Sequence, residues 1–147
     1  MTVGPAALFI AEPPAQYLVL PPLVVDCSVL SSAIFGEESR DVALDRLSGK
    51  TLHAPDLLEH ELVSVALEKR RLGWDPESIA LALSDHSQLN IALHGTDVEA
   101  QHALAVRYQL SAYDAAYLWL AAELKAPLAT FDEKLARAAS VHLSSLP

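Results

Sequence analysis

Four acidic residues, Asp26, Glu61, Asp114 and Asp132, each interrupt or end an otherwise apolar segment. They stand in Leu23-Val24-Val25-Asp26, Leu57-Leu58-Glu59-His60-Glu61-Leu62-Val63, Ala112-Tyr113-Asp114-Ala115-Ala116 and Leu128-Ala129-Thr130-Phe131-Asp132. An ionised carboxylate buried without a partner is very costly. Four of them, far apart in sequence, are best tolerated where the fold gathers them around a cation. All-oxygen ligation selects a hard cation, Mg²⁺ or Mn²⁺, over zinc, which prefers nitrogen and sulfur. One or two such ions held by carboxylates act on phosphoryl oxygens, so the expected chemistry is metal-assisted hydrolysis of a phosphodiester.

Each acid taken singly has a plainer explanation. Asp132 could cap a helix, Asp114 could close a capping box or complement a helix dipole, and Asp26 could be an ordinary turn residue. Glu61 resists such treatment. On a helix its neighbours one turn away are Leu57 and Leu58 on one side, Ser64 and Val65 on the other, which puts it on or beside the buried stripe. Asp114 is alike, being the only charge between Arg107 and Glu123.

The elements that must position these acids alternate between strand and helix. Leu23–Asp26 is a short continuous apolar run, as expected of a parallel strand buried on both faces. Ser28 is placed to cap a helix through about Gly36, and a second helix is expected from about Arg40 to Leu47, before Gly49. Thr51–Ala54 reads as a strand and Asp56 to about Leu72 as a long helix. Asp75 can cap the next one through about Ser84, and Leu89–Leu93 is either a strand or a helix tail. Thr96 and Glu99 have capping-box spacing before a helix to Tyr108. Ser111 caps Ala112–Leu124, Pro127–Thr130 is a strand, and Asp132–Ala139 a last helix. Such alternation argues for an α/β layered fold with a mostly parallel sheet. Ligands bind such sheets at the carboxyl ends of the strands. Asp26 and Asp132 would follow strands there, and Asp114 and Glu61 would lie near the starts of helices that leave the same edge.

Residues 1–21 form a segment apart, with Pro5, Pro13, Pro14 and Pro21 among aliphatics and no sustained helical period. An extended arm is expected there, with a short strand at Tyr17–Leu20, followed by one domain over residues 22–147.

Composition narrows the classes. The 147 residues carry 19 acids against 10 bases, a formal charge of −9, which argues against broad adhesion to nucleic acid. It does not exclude a nuclease, because bound cations invert the field of an acidic site. Cys27 is the only cysteine, which rules out an intramolecular disulfide and suits a reducing cytoplasm. The first ten residues lack the Lys or Arg of a signal peptide, and no apolar run approaches the ~20 residues of a membrane span. A cytoplasmic protein without a membrane partner is expected.

Other chemistries find less support. His60-Glu61 begins like a zinc-protease motif, but Ser64 stands where the second histidine belongs. Gly4, Gly36, Gly49, Gly73 and Gly95 are isolated, so no phosphate-cradling loop exists. Cys27 lacks an obvious catalytic partner and reads as a small core residue. Lys69-Arg70-Arg71 ends a helix, where it complements the dipole. Arg107, Lys134 and Arg137 lie near the acidic motifs and are the better candidates for gripping a phosphate chain.

The segments Val24-Val25-Asp26-Cys27-Ser28, Glu61-Leu62-Val63-Ser64-Val65, Leu110-Ser111-Ala112-Tyr113-Asp114-Ala115 and Ala126-Pro127-Leu128-Ala129-Thr130-Phe131-Asp132-Glu133-Lys134-Leu135 resemble the four signature blocks of PIN-domain ribonucleases. The similarity is greatest to the VapC-type toxins of prokaryotic toxin–antitoxin pairs and runs from about residue 22 to the C-terminus. It implies a three-layer α/β/α sandwich with a central mostly parallel sheet, Mg²⁺- or Mn²⁺-dependent endonucleolytic cleavage of RNA, with tRNA and ribosomal RNA as targets, a homodimer, and inhibition by an antitoxin protein. Asp26, Glu61, Asp114 and Asp132 would form the acidic metal site. Ser28 and Thr130 match hydroxyl residues of the family that either orient a metal-bound water or merely cap elements. Ser64 departs from the asparagine common at that position, though a hydroxyl still donates a hydrogen bond. Two other readings keep the fold: an RNA maturation or decay nuclease without an antitoxin, and a non-catalytic module that binds RNA or protein.

Overall fold

Pro22–Val25 forms the first strand, β1, and its residues from Leu23 onward are buried. Burial on both faces is what a continuous Leu-Val-Val run is suited to. The computed structural model describes residues 7–9, 11 and 20–147. Most of the arm expected over residues 1–21, and the strand expected at Tyr17–Leu20 apart from Leu20, therefore lie outside the described residues.

The remaining elements are α1 (Cys27–Phe35), α2 (Arg40–Leu47), β2 (Thr51–Pro55), α3 (Leu57–Arg71), α4 (Pro76–Gln88), β3 (Ala92–His94), α5 (Val98–Tyr108), α6 (Ala112–Leu124), β4 (Leu128–Ala129) and α7 (Glu133–Ser144). All strand pairs are parallel, in the order β3-β2-β1-β4. The α/β fold with a parallel sheet is thus as the alternation implied. Crossovers from β1 to β2 and from β2 to β3 step one way, whereas the connection from β3 to β4 steps back past both inner strands. Right-handed crossovers then put the two groups of helices on opposite faces. Packing follows that division: α1 contacts α2, α3 and α4, while α6 contacts α5 and α7. The core is filled from both faces by residues such as Leu30, Leu58, Leu62, Tyr117, Leu118 and Leu135.

Several element ends differ from the sequence expectation. Asp26, not Ser28, caps α1, accepting from the Val29 amide at 3.1 Å. Asp97, not Thr96, caps α5, while the Thr96 hydroxyl bonds Gln101 Oε1 at 2.6 Å. A carboxylate is the stronger acceptor of an amide at the first turn, and in both places one was within reach. The last strand shrinks to Leu128–Ala129, whereas α4 and α7 run on to Gln88 and Ser144. Neither extension contains Gly or Pro, and the Tyr108 hydroxyl contact with His142 Nδ1 at 2.9 Å ties the end of α7 to α5. At the end of α3, Gly73 takes φ 93°, a left-handed turn suited to glycine.

Candidate active site

The strands β1 and β4 are neighbours whose onward connections leave in opposite senses, which makes the gap beyond their carboxyl ends the switch point of the sheet. Asp26 ends β1 and caps α1; Asp132 follows β4 and caps α7, accepting from the Leu135 amide at 2.8 Å. Ser111 caps α6 through the Asp114 amide at 3.0 Å, which sets Asp114 in the first turn. Glu61 lies in the second turn of α3. Three helix N-termini therefore face the gap, and their positive dipole ends ease the collection of negative charge there.

Asp26 is 5% exposed and is the most tightly held of the four. Its Oδ1 accepts from Ser28 Oγ at 2.7 Å as well as from Val29, and its Oδ2 accepts a short bond from Thr130 Oγ1. The same hydroxyls accept backbone amides of the loop after β4: Phe131 N on Ser28 Oγ and Asp132 N on Thr130 Oγ1, both at 2.9 Å. Ser28 and Thr130 thus lock the β4–α7 loop to Asp26, and their hydroxyl hydrogens are directed at that carboxylate. Sequence reasoning had placed them beside the acid without this double linkage.

Glu61 is half-buried, and Tyr117 Oη donates to its Oε1 at 2.6 Å. Tyr117 is a partner of Glu61 that the sequence reading did not assign; the clue was a hydroxyl one turn beyond Asp114 on an apolar face, since a buried phenol needs a partner. Ser64 is exposed, one turn from Glu61, and lines a hollow with it.

Burial raises the carboxyls of Asp26, Glu61 and Asp114 above their ordinary values. Hydrogen bonds from Thr130 and Ser28 partly offset this at Asp26, and the Tyr117 bond does so at Glu61. Mutual repulsion adds to it: Glu61 feels Asp26 and Asp114, and Asp114 feels Asp132 and Asp26. The carboxylates form a row, with Glu61 and Asp132 towards its ends. Burial, then Glu61 and Asp26, push the Cys27 thiol up to about 12, so Cys27 is an inert buried group, as its sequence context suggested.

No Lys or Arg forms an ion pair with any of the four among the described residues; the ion pairs engage Glu37, Glu68, Glu59 and Glu133 instead. Lys134 is near enough to Asp114 to hold its carboxyl down somewhat. It shares a cleft with Asp132, Arg137 and Tyr108. Arg137 is bound to Glu133 and Arg107 lies over the Tyr108 ring at 5.2 Å.

A hard divalent cation fits this donor set: all oxygen, mutually repelling, and without an ion pair among the described residues. Among the described residues no three His, Cys, Asp or Glu side chains already stand close enough to enclose an ion. The arrangement is a set of facing carboxylates that a cation would draw inward.

The family model described as PIN domain matches residues 23–141. The chain belongs to the PIN-domain family. PIN domains are generally nucleases acting on RNA, and generally use divalent metals. A solved structure, that of PAE2754 from Pyrobaculum aerophilum, shares this PIN fold. The similarity has a TM-score of 0.66 and 21% identity over 84% of this chain and 93% of that one. No curated protein sequence matches this PIN-domain chain. No helix among the described residues is long and apolar enough to cross a membrane.

Proposed function

We propose that this PIN domain is a Mg²⁺- or Mn²⁺-dependent endoribonuclease of the VapC toxin type, with Asp26, Glu61, Asp114 and Asp132 as the acidic site. One observation carries the reading: carboxylates from four separate elements stand near enough to repel one another at the sheet's switch point, with no ion-pair partner among the described residues. Asp26, Glu61 and Asp114 would hold the cation, with Asp132 at the open side. A bound divalent cation would offset the phosphate's charge and favour ionisation of water. The chain's own residues do the rest. Thr130 and Ser28 fix both oxygens of Asp26, and Tyr117 fixes Glu61, so the donors are oriented before substrate arrives. Lys134 and Arg137 line the cleft beside Asp132, where a neighbouring phosphate would rest.

The toxin assignment adds an RNA target such as tRNA or ribosomal RNA, a homodimer, a protein antitoxin and action in the cytoplasm. Expression should arrest growth, and co-expression of a small DNA-binding protein from the adjoining gene should relieve the arrest. Purified wild-type protein should cleave RNA only with Mg²⁺ or Mn²⁺, and Asp26→Asn and Asp114→Asn should fold but not cleave. Undiminished cleavage by both variants would remove the mechanism; cleavage without growth arrest would leave a nuclease that is not a toxin.

A further inference from the structure

The two ends of the carboxylate row open into hollows of opposite character. Beside Asp132 lies a cleft of about 550 Å³ whose wall carries Lys134 together with the Arg137–Glu133 ion pair. Beside Glu61 lies a hollow of about 600 Å³ between the start of α1, the first two turns of α3 and the first turn of α6. Neither Lys nor Arg lines it. Leu57 and Val65 give it apolar walls, His60 and Ser64 bring polar groups, and Tyr113 flanks it while remaining 61% exposed.

A phosphate entering that hollow would lose water and meet no Lys or Arg to offset its charge. A nucleobase meets no such penalty. It is flat and uncharged, stacks on an aromatic ring, and pairs its edge with hydroxyl, imidazole or carboxylate groups. The hollow supplies a ring, a hydroxyl and an imidazole in Tyr113, Ser64 and His60. Its volume lies within the range of small-molecule sites, with ample room for one base. The charge difference between the two ends also orders the strand. Phosphates belong on the Lys134 and Arg137 side, and a base belongs on the Tyr113 side.

We infer that the hollow beside Glu61 receives the nucleobase adjoining the phosphate held at the carboxylates, stacked on Tyr113, with His60 and Ser64 selecting among bases. This rests on the nuclease reading for the position of the phosphate. It makes Tyr113 a specificity-determining residue of a single-stranded RNA site.

The test uses the full chain carrying Asp26→Asn, with Mg²⁺ present, and short single-stranded RNAs with 2-aminopurine placed at successive positions. One position should be strongly quenched by stacking. Adding Tyr113→Phe should keep the quenching, whereas Tyr113→Ala should abolish it and weaken binding by about tenfold. Adding Lys134→Gln should weaken binding of every sequence alike and leave the quenching in place. In the cleavage-competent chain, Tyr113→Ala should flatten the preference among flanking bases. Quenching that persists in Tyr113→Ala, or no quenched position at all, overturns the inference. A change in oligomeric state with unaltered quenching does so too, by assigning the hollow to a protein contact. The nuclease reading fails separately: if the chain without substitutions binds and quenches but never cleaves, the base site stands on a non-catalytic module.

Discussion

Buried charge is handled in two different ways at opposite ends of α3. Near its C-terminus the Lys69 ammonium, 17% exposed, pairs with Glu37 at 3.1 Å and lies 4.9 Å from the Trp74 ring centroid and 5.7 Å from that of Phe35. Two aromatic faces and a carboxylate answer one cation, and nothing is left over. Near the N-terminus Glu61 shares its surroundings with Asp26 and Asp114; hydroxyls and amides answer them, and among the described residues none of the three has an ion-pair partner. A chain able to neutralise Lys69 so fully leaves its carboxylates to be neutralised from outside. On the proposed nuclease reading, that contrast separates charge used to hold the fold from charge kept for a ligand.

The largest expected effect is at the centre of the carboxylate row. Asp26→Asn should lower metal-dependent cleavage by at least about 100-fold, on the scale of removing one charge-stabilising group from an active site. Circular dichroism and the thermal midpoint should stay near wild type, since the amide oxygen can still accept from Val29 and Ser28. Thr130→Val removes the donor to Asp26 Oδ2 and the acceptor for the Asp132 amide at once. Cleavage should fall about 10–100-fold, the usual cost of losing a group that orients a ligand, and Mn²⁺ affinity should fall with it.

Lys69→Met should show the reverse pattern. The lost cation–π and ion-pair contacts should cost about 1–2 kcal/mol in chemical denaturation. Cleavage per folded molecule should be unchanged; a catalytic defect there would dissolve the contrast.

A subtler expectation concerns pH. Carboxyls raised in the folded state hold protons that the unfolded chain has already released. Each therefore subtracts stability as pH rises from the ordinary carboxylate range through the raised one. Asp114, raised by burial and by Asp132 and Asp26, is one such group. In chelator-treated protein, Asp114→Asn should melt higher than wild type at neutral pH. The advantage should disappear below the ordinary carboxylate range, where both forms are uncharged. Saturating Mn²⁺ should reverse the order by stabilising wild type alone. The smallest effect belongs to Glu133→Gln. Its pair with Arg137 is 77% and 78% exposed, so stability should change by less than about 0.5 kcal/mol.

The strand-end acids were legible because they break apolar runs, and a parallel sheet leaves few places for such residues. Glu61 and Asp114 were legible from helical spacing alone. What escaped depended on partners distant in sequence. Tyr117 is an unremarkable aromatic until α6 packs on β1 and β2 and its hydroxyl meets Glu61, 56 residues away. The double role of Thr130 needs Asp26, 104 residues away, to be seen. Local rules also misplaced two caps, because Ser28 and Thr96 satisfy the motif while Asp26 and Asp97 reach the amides. The run of α7 to Ser144 reflects its contact with α5 and leaves no mark in the residues beyond Ala139.

Calorimetric titration of Mn²⁺ into chelator-treated protein tests the central claim most directly, with Glu61→Gln as the comparison, since its amide oxygen can still receive the Tyr117 hydroxyl. Saturable binding to wild type, weakened at least about tenfold in the variant, is the expected result. Equal affinities, or no saturable uptake by wild type, would contradict the assignment of these carboxylates to a cation.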